Sequence, residues 1–246
     1  YSKGCDSRKM FSGLAISQTA DFEKHLNQYD VIHLDIQWFL SNVSDPEQIV
    51  AYITECTLAE LRTIYADQLP PEVSTVPDAL SRIKEATGQK FVIIIDEWDC
   101  IFRKYPNNQE DHIRYLDFLR FWLKGKSYIA LAYMTGILPI KKYGEHSALN
   151  MFDEYSMTNQ RELAEFTGFT EAEVQELCRQ YDMPYDKTKQ WYDGYDLKGV
   201  QIYNPRSVVM SMLGHDYDSY WTKTETYEAL KKYIQMNQYG LKELTT

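Results

Sequence analysis

The chain has 246 residues, 44% hydrophobic and 25% charged, with a formal net charge of −10. That balance is ordinary for a globular protein able to bury a sizeable core, and its negative field gives no support for direct nucleic-acid binding. The longest apolar run, "YIALAYM", is far too short to span a bilayer, so no membrane partner and a cytoplasmic location are expected.

In chain order, "DVIHLDIQ" (30–37) reads as a buried strand ending in Asp35. Asp45 then offers an N-cap with Pro46 at the first helical position, and Ile49, Ile53, Cys56, Leu61 and Ile64 follow at roughly helical spacing. "PDALSRIKEATGQK" predicts a second helix with Leu80 and Ile83 inward and Gly88 ending it. "KFVIIIDEWDC" follows, a strand over Phe91–Ile95 that runs straight into Asp96, Glu97 and, two positions on, Asp99. A polar loop, "YPNNQED", leads to a helix carrying Ile113, Leu116 and Leu119. "SYIALAYMTG" is another apolar strand, and "FDEYSMT" a short one. Wholly apolar strands alternating with helices indicate an α/β domain with a parallel sheet covered on both faces.

The character changes near residue 158. "TEAEVQELCRQY" opens on a capping box, Thr170 with Glu173. "WYDGYDLKGVQIYNP" predicts a hairpin turning near Gly199, with Trp191 and Tyr195 packed against the helical subdomain, and Asn204-Pro205 starts a helix with further helical stretches behind it. The expected organisation is an α/β core over 1–158 and a helical subdomain with one hairpin over 159–246.

Two adjacent acids at the end of a buried strand can serve as a Walker B segment: Asp96 holding Mg²⁺ beside nucleotide phosphates, Glu97 orienting and polarising the attacking water. The alternative is a strand that simply ends in solvated acids. Thr135 ends the next strand, where its hydroxyl can bond a γ-phosphate or the lytic water, or merely cap backbone. "KGKS" (124–127) carries the last three letters of a Walker A motif. The first glycine of that motif would fall on Arg120, and the segment follows a helix and opens a strand, the reverse of the order a P-loop needs. Lys126 is therefore expected in a solvated turn. The cysteines Cys5, Cys56, Cys100 and Cys178 form no C-x-x-C and suggest free thiols in a reducing compartment. His25, His33, His112, His146 and His215 show no ligand pairing.

Taken together, "ALSRIKEATGQKFVIIIDEWDCIF", "TGILPIKK", "EFTGFTEAEVQEL", "WYDGYDL" and "YNPRSVV" resemble, in this order, the blocks of the AAA-ATPase-like family of P-loop proteins, which often precede a PD-(D/E)XK nuclease-like domain. The resemblance implies a P-loop NTPase core of strand order 5-1-4-3-2, Mg²⁺ and ATP as cofactors, Asp96 and Glu97 as Walker B, and Thr135 as the sensor threonine. It implies that the segment after residue 158 acts as a lid, with Arg161 and Arg206 as candidate lid arginines, and it admits oligomerisation. Family members carry the P-loop upstream of "YSKG"-like sequence, so the first strand and its loop are expected to be missing here. An ATPase is thus one reading, and a degenerate interaction module that keeps the fold without nucleotide chemistry is the other. A nuclease activity of this chain would need an E-x-K or D-x-K on a strand beside a further acid and is the least favoured reading, and Asp78 sits at a helix start.

Overall fold

The computed structural model describes residues 1–138, 149–156, 161–197 and 199–220, and it divides into two compact units, Tyr1–Glu154 and Tyr155–Thr246. In the first unit, two four-residue helices, α1 (Arg8–Phe11) and α2 (Phe22–His25), precede the sheet. The strands β1 (Asp30–Asp35), β2 (Phe91–Asp96) and β3 (Ile129–Met134) are all parallel, in the order β1-β2-β3. Between β1 and β2 run α3 (Ile36–Ser41), α4 (Ile49–Ile64) and α5 (Val76–Thr87); between β2 and β3 run α6 (Cys100–Lys104) and α7 (Gln109–Leu123).

Local signals set the ends of these elements. Asp45 accepts from the Glu47 N–H at 2.9 Å ahead of α4, Thr75 from the Asp78 N–H at 3.4 Å at the start of α5, and Asn108 from the Asp111 N–H at 3.3 Å at the start of α7. Gly88 ends α5 with φ of +74°, a conformation in which a side chain is strained. On α4 the stripe Ile49, Ile53, Thr57, Leu58 and Leu61 is buried, and on α5 Leu80 and Ile83 are fully so.

Both crossovers move to the next strand in the same direction. Crossovers between parallel strands are right-handed, so their helices share one face of the sheet. The main core accordingly joins Leu34, Phe91, Ile93 and Ile95 to residues of α3 to α7, among them Ile53, Leu80, Tyr115 and Trp122. Each such aliphatic side chain, fully buried, contributes about 1.5–3 kcal/mol. The other face is only partly covered. There Val92 is buried but Leu131 and Tyr133 of β3 are 41% and 55% exposed, which corrects the expectation of a sheet covered on both faces. Ile64 and Ile113, apolar members of the helical patterns read from the sequence, are exposed as well.

In the second unit, β4 (Phe169–Thr170), β5 (Asp193–Leu197) and β6 (Val200–Tyr203) form an antiparallel sheet of order β4-β6-β5. Around it stand α8 (Glu171–Gln180), α9 (Tyr185–Tyr192) and α10 (Pro205–Gly214). The capping box at Thr170 and Glu173 forms with both bonds in place. The hairpin turns at Gly199 (φ +90°); Tyr192 and Tyr203 are buried, and Trp191 and Tyr195 are about half-exposed, with the Trp191 ring 6.1 Å from that of Tyr217. Helix α9 ends only at Tyr192, so Trp191 lies on a helix rather than a strand. The strand expected over 152–158 lies partly outside the described residues, and within 152–156 only Ser156 makes a bridge. His146, part of "TGILPIKK" and the helical stretches beyond residue 220 also lie outside them.

Candidate functional site

Strand β2 is the middle strand, hydrogen-bonded to β1 and β3 on its two edges. Its buried run therefore fixes the height at which Asp96 leaves the sheet, directly across from Asp35 of β1. That rim is the carboxyl edge, where open parallel sheets bind ligands. Asp35 itself is used locally, accepting from the Trp38 N–H at 3.0 Å to start α3.

At Glu97 the chain leaves the pleat by adopting φ of +52°. A non-glycine residue in that left-handed region is uncommon and costs of order 1 kcal/mol or more, so the surroundings must hold it. They do so from the neighbouring strand. The Thr135 N–H donates to the Ile95 carbonyl at 2.9 Å, and the Trp98 N–H donates to the Thr135 carbonyl at 3.1 Å. The Thr135 hydroxyl donates to Asp96 Oδ1, which also accepts from the Glu97 N–H at 2.9 Å. Gly136 follows because nothing larger fits: a Cβ there would stand 2.5 Å from Trp98 Cδ1 and 2.6 Å from Asp99 Oδ1.

Asp96 and Thr135 are thus in direct contact, and Glu97 stands beside them with its side chain 35% exposed. Two further residues complete the site: Asp99, to which the sequence assigns no role, and Arg103, which it does not single out. Asp99 has no exposed surface, and its Oδ2 accepts from the Ile137 N–H at 3.2 Å and the Leu138 N–H at 2.8 Å. Arg103, one turn further along, places Nε 3.2 Å from the same Asp99 oxygen and donates through Nη2 to Glu97 Oε2. The i, i+4 spacing of opposite charges was the available signal.

Among the described residues no group of three or more histidine, cysteine or acidic side chains is arranged to hold a metal. A magnesium ion does not need one, since it keeps several waters and takes one or two carboxylates together with substrate phosphates. Asp96 suits that mode: Oδ1 is occupied by Thr135 and Glu97, while Oδ2 takes no hydrogen bond from the described residues. The Gly125-Lys126-Ser127 segment is a turn from α7 into β3, with Gly125 at φ of +66° and the Lys126 ammonium 4.7 Å from the Phe121 ring centre. It cradles nothing. Arg206 is exposed in the first turn of α10, and the Arg161 side chain lies outside the described residues.

Burial pushes the Cys100 thiol up to about 12, with Arg103 opposing and Asp99, Glu97 and Asp35 adding to the shift. The thiolate is the reactive species, so at pH 8 a thiol-alkylating reagent should modify exposed Cys5 well before buried Cys100 or Cys178. Mass spectrometry of the native protein checks this; equal rates at Cys5 and Cys100 would contradict the packing of α6.

A parallel α/β unit with acids at the end of its middle strand, laced to a threonine on the next, is consistent with a P-loop-like core. The chain matches the family described as AAA-ATPase_like, predicted AAA-ATPase, over residues 1–144, and it belongs to that family. It is also similar to an "Uncharacterized protein in vnfD 5'region" of Azotobacter chroococcum mcd 1, at 24% identity over 148 residues. That match covers 57% of this chain and 28% of the relative, so the chain spans less than a third of the relative's length. Among the described residues no helix is long and apolar enough to cross a membrane.

Proposed function

We propose that this chain is the Walker B-bearing part of an ATPase that binds and hydrolyses Mg·ATP. The observation that carries the reading is the convergence of Asp96, Glu97 and Thr135 on one rim, through the Thr135–Asp96 hydrogen bond. Asp96 would hold Mg²⁺, directly or through water, and the ion would neutralise charge on the transferring phosphate. Glu97 would orient and polarise the attacking water, and the Thr135 hydroxyl would bond the γ-phosphate or that water. The phosphate-cradling loop would come from residues outside those described. Family membership supports this, as does the outer edge of β3, which has no strand partner among the described residues. In the strand order 5-1-4-3-2, the observed β1-β2-β3 corresponds to 2-3-4, and the free edge is where the first strand would pair.

The unit beginning at Tyr155 would act as the lid, converting nucleotide state into movement. In the whole protein a C-terminal nuclease-like domain is the partner that the family resemblance suggests. The test is ATP turnover by the full-length protein. Hydrolysis that depends on Mg²⁺, and is lowered in Asp96→Ala and Glu97→Gln, supports the reading; equal hydrolysis by all three proteins rules out these roles. Absence of nucleotide binding in the full-length wild type would favour an interaction module that keeps the fold alone.

A further inference from the structure

The acid pair is held by a second network that its proposed chemistry does not require. Glu97 is the only one of the three rim residues whose side chain is fixed neither by Asp96 nor by Thr135. Its partner is Arg103, whose Nη2 donates to Glu97 Oε2. The same guanidinium places Nε 3.2 Å from Asp99 Oδ2. Asp99 is completely buried, and that oxygen also accepts from the backbone N–H groups of Ile137 and Leu138, at 3.2 and 2.8 Å, two and three residues beyond Thr135. A chain of polar contacts therefore runs from the backbone behind Thr135, by hydrogen bonds to Asp99, by an ion pair from Asp99 to Arg103, and by a hydrogen bond from Arg103 to the Glu97 carboxylate.

We propose that Arg103 is a positioning residue, which holds the Glu97 carboxylate in register with Thr135 by bridging it to the buried Asp99 anchor. The proposal rests on the reading of Glu97 as the water-orienting group. Three physical facts favour it over a surface ion pair. The Arg103 side chain is only 21% exposed, so the contact is poorly screened and held in one geometry. Its partner Asp99 cannot move without breaking two backbone hydrogen bonds. Finally, the bridge uses two separate nitrogens of a planar fork, which a lysine ammonium cannot reproduce. Among the described residues only Glu97 Oε2 is engaged, which leaves the other carboxylate oxygen to a water.

The test compares full-length wild type, Arg103→Gln and Arg103→Lys, each with and without Glu97→Gln, by single-turnover and steady-state ATP hydrolysis at matched thermal midpoints. Arg103→Gln should lower kcat about 10- to 100-fold, the scale of a reacting group displaced by about 1 Å. KM for Mg·ATP should stay within about twofold, because the nucleotide-binding groups are untouched. Arg103→Lys, which keeps the charge and should fold if the glutamine variant does not, should recover only part of the rate. In the Glu97→Gln background, Arg103→Gln should cause no further loss, since the residue acts through Glu97. The same fractional loss in both backgrounds, an unchanged rate or a raised rate would overturn the positioning role while leaving the assignment of Glu97 intact. Wild-type turnover by Glu97→Gln alone would instead overturn that assignment, and this proposal with it.

Discussion

Glu97→Gln is expected to bind Mg·ATP as the wild type does and to lose about 10²- to 10⁴-fold in turnover, the usual contribution of a positioned general base. The amide is nearly isosteric with the carboxylate, so the left-handed backbone at residue 97 and the Trp98–Thr135 hydrogen bond should both survive. What it removes is the negative charge that polarises water. The affinity should hold because Asp96, which faces the metal in this account, is unchanged and still receives the Thr135 hydroxyl. An affinity loss as large as the rate loss would place Glu97 in nucleotide binding rather than in the chemical step.

The second large effect is on stability. Asp99→Ala should destabilise the unit containing it by about 3–5 kcal/mol, the cost of removing one partner from a buried ion pair. The deletion takes the buried counter-charge away from Arg103 and strands the N–H groups of Ile137 and Leu138, which now share Asp99 Oδ2. It also leaves a void in a closed part of the unit, where the neighbouring Trp98 is 3% exposed and packs 5.4 Å from Phe102, centre to centre. Asp99→Asn should cost less, because an amide oxygen still accepts from backbone. Denaturant unfolding followed by tryptophan fluorescence measures both, and an Asp99→Ala protein within about 0.5 kcal/mol of wild type, the range of a neutral surface change, would contradict the buried anchor.

The sequence made the core strand and the acid pair legible because both are local. Phe91–Ile95 is a continuous apolar run, and Asp96 and Glu97 are simply the residues that follow it. Helix starts at Asp45 and Thr170 and the stop at Gly88 are local too, being side-chain or backbone geometry within four residues. What escaped depends on tertiary placement. Ile64 lies on the same angular stripe of α4 as Ile53, yet it is 70% exposed because it is the helix's last residue and extends beyond the packed face. Ile113 is next to His112, and one residue around a helix is enough to turn from the stripe of His112, Tyr115, Leu116 and Leu119 towards solvent. The apolar β3 looked doubly buried because Leu131 and Tyr133 are large and apolar; that both crossovers lie on one face is a property of strand order, which no single segment encodes.

The same reasoning separates the two halves of the candidate site. Asp96, Glu97 and Thr135 could be singled out from strand ends and family likeness. Asp99 could be named beside them but given no role, because its meaning depends on backbone groups 38 and 39 residues away, and Arg103 is not singled out. The expectation that Lys126 sits in a turn agrees with the structure, since strand–loop–helix order is readable from periodicity alone.

The most direct measurement is the Mg²⁺ dependence of ATP binding by the full-length protein, wild type against Asp96→Ala, by calorimetric titration over a range of magnesium concentration. If the middle strand delivers Asp96 to a magnesium ion at the triphosphate, wild-type affinity should rise with magnesium and the alanine variant should lose most of that rise. Superimposable magnesium dependence in the two proteins would contradict it.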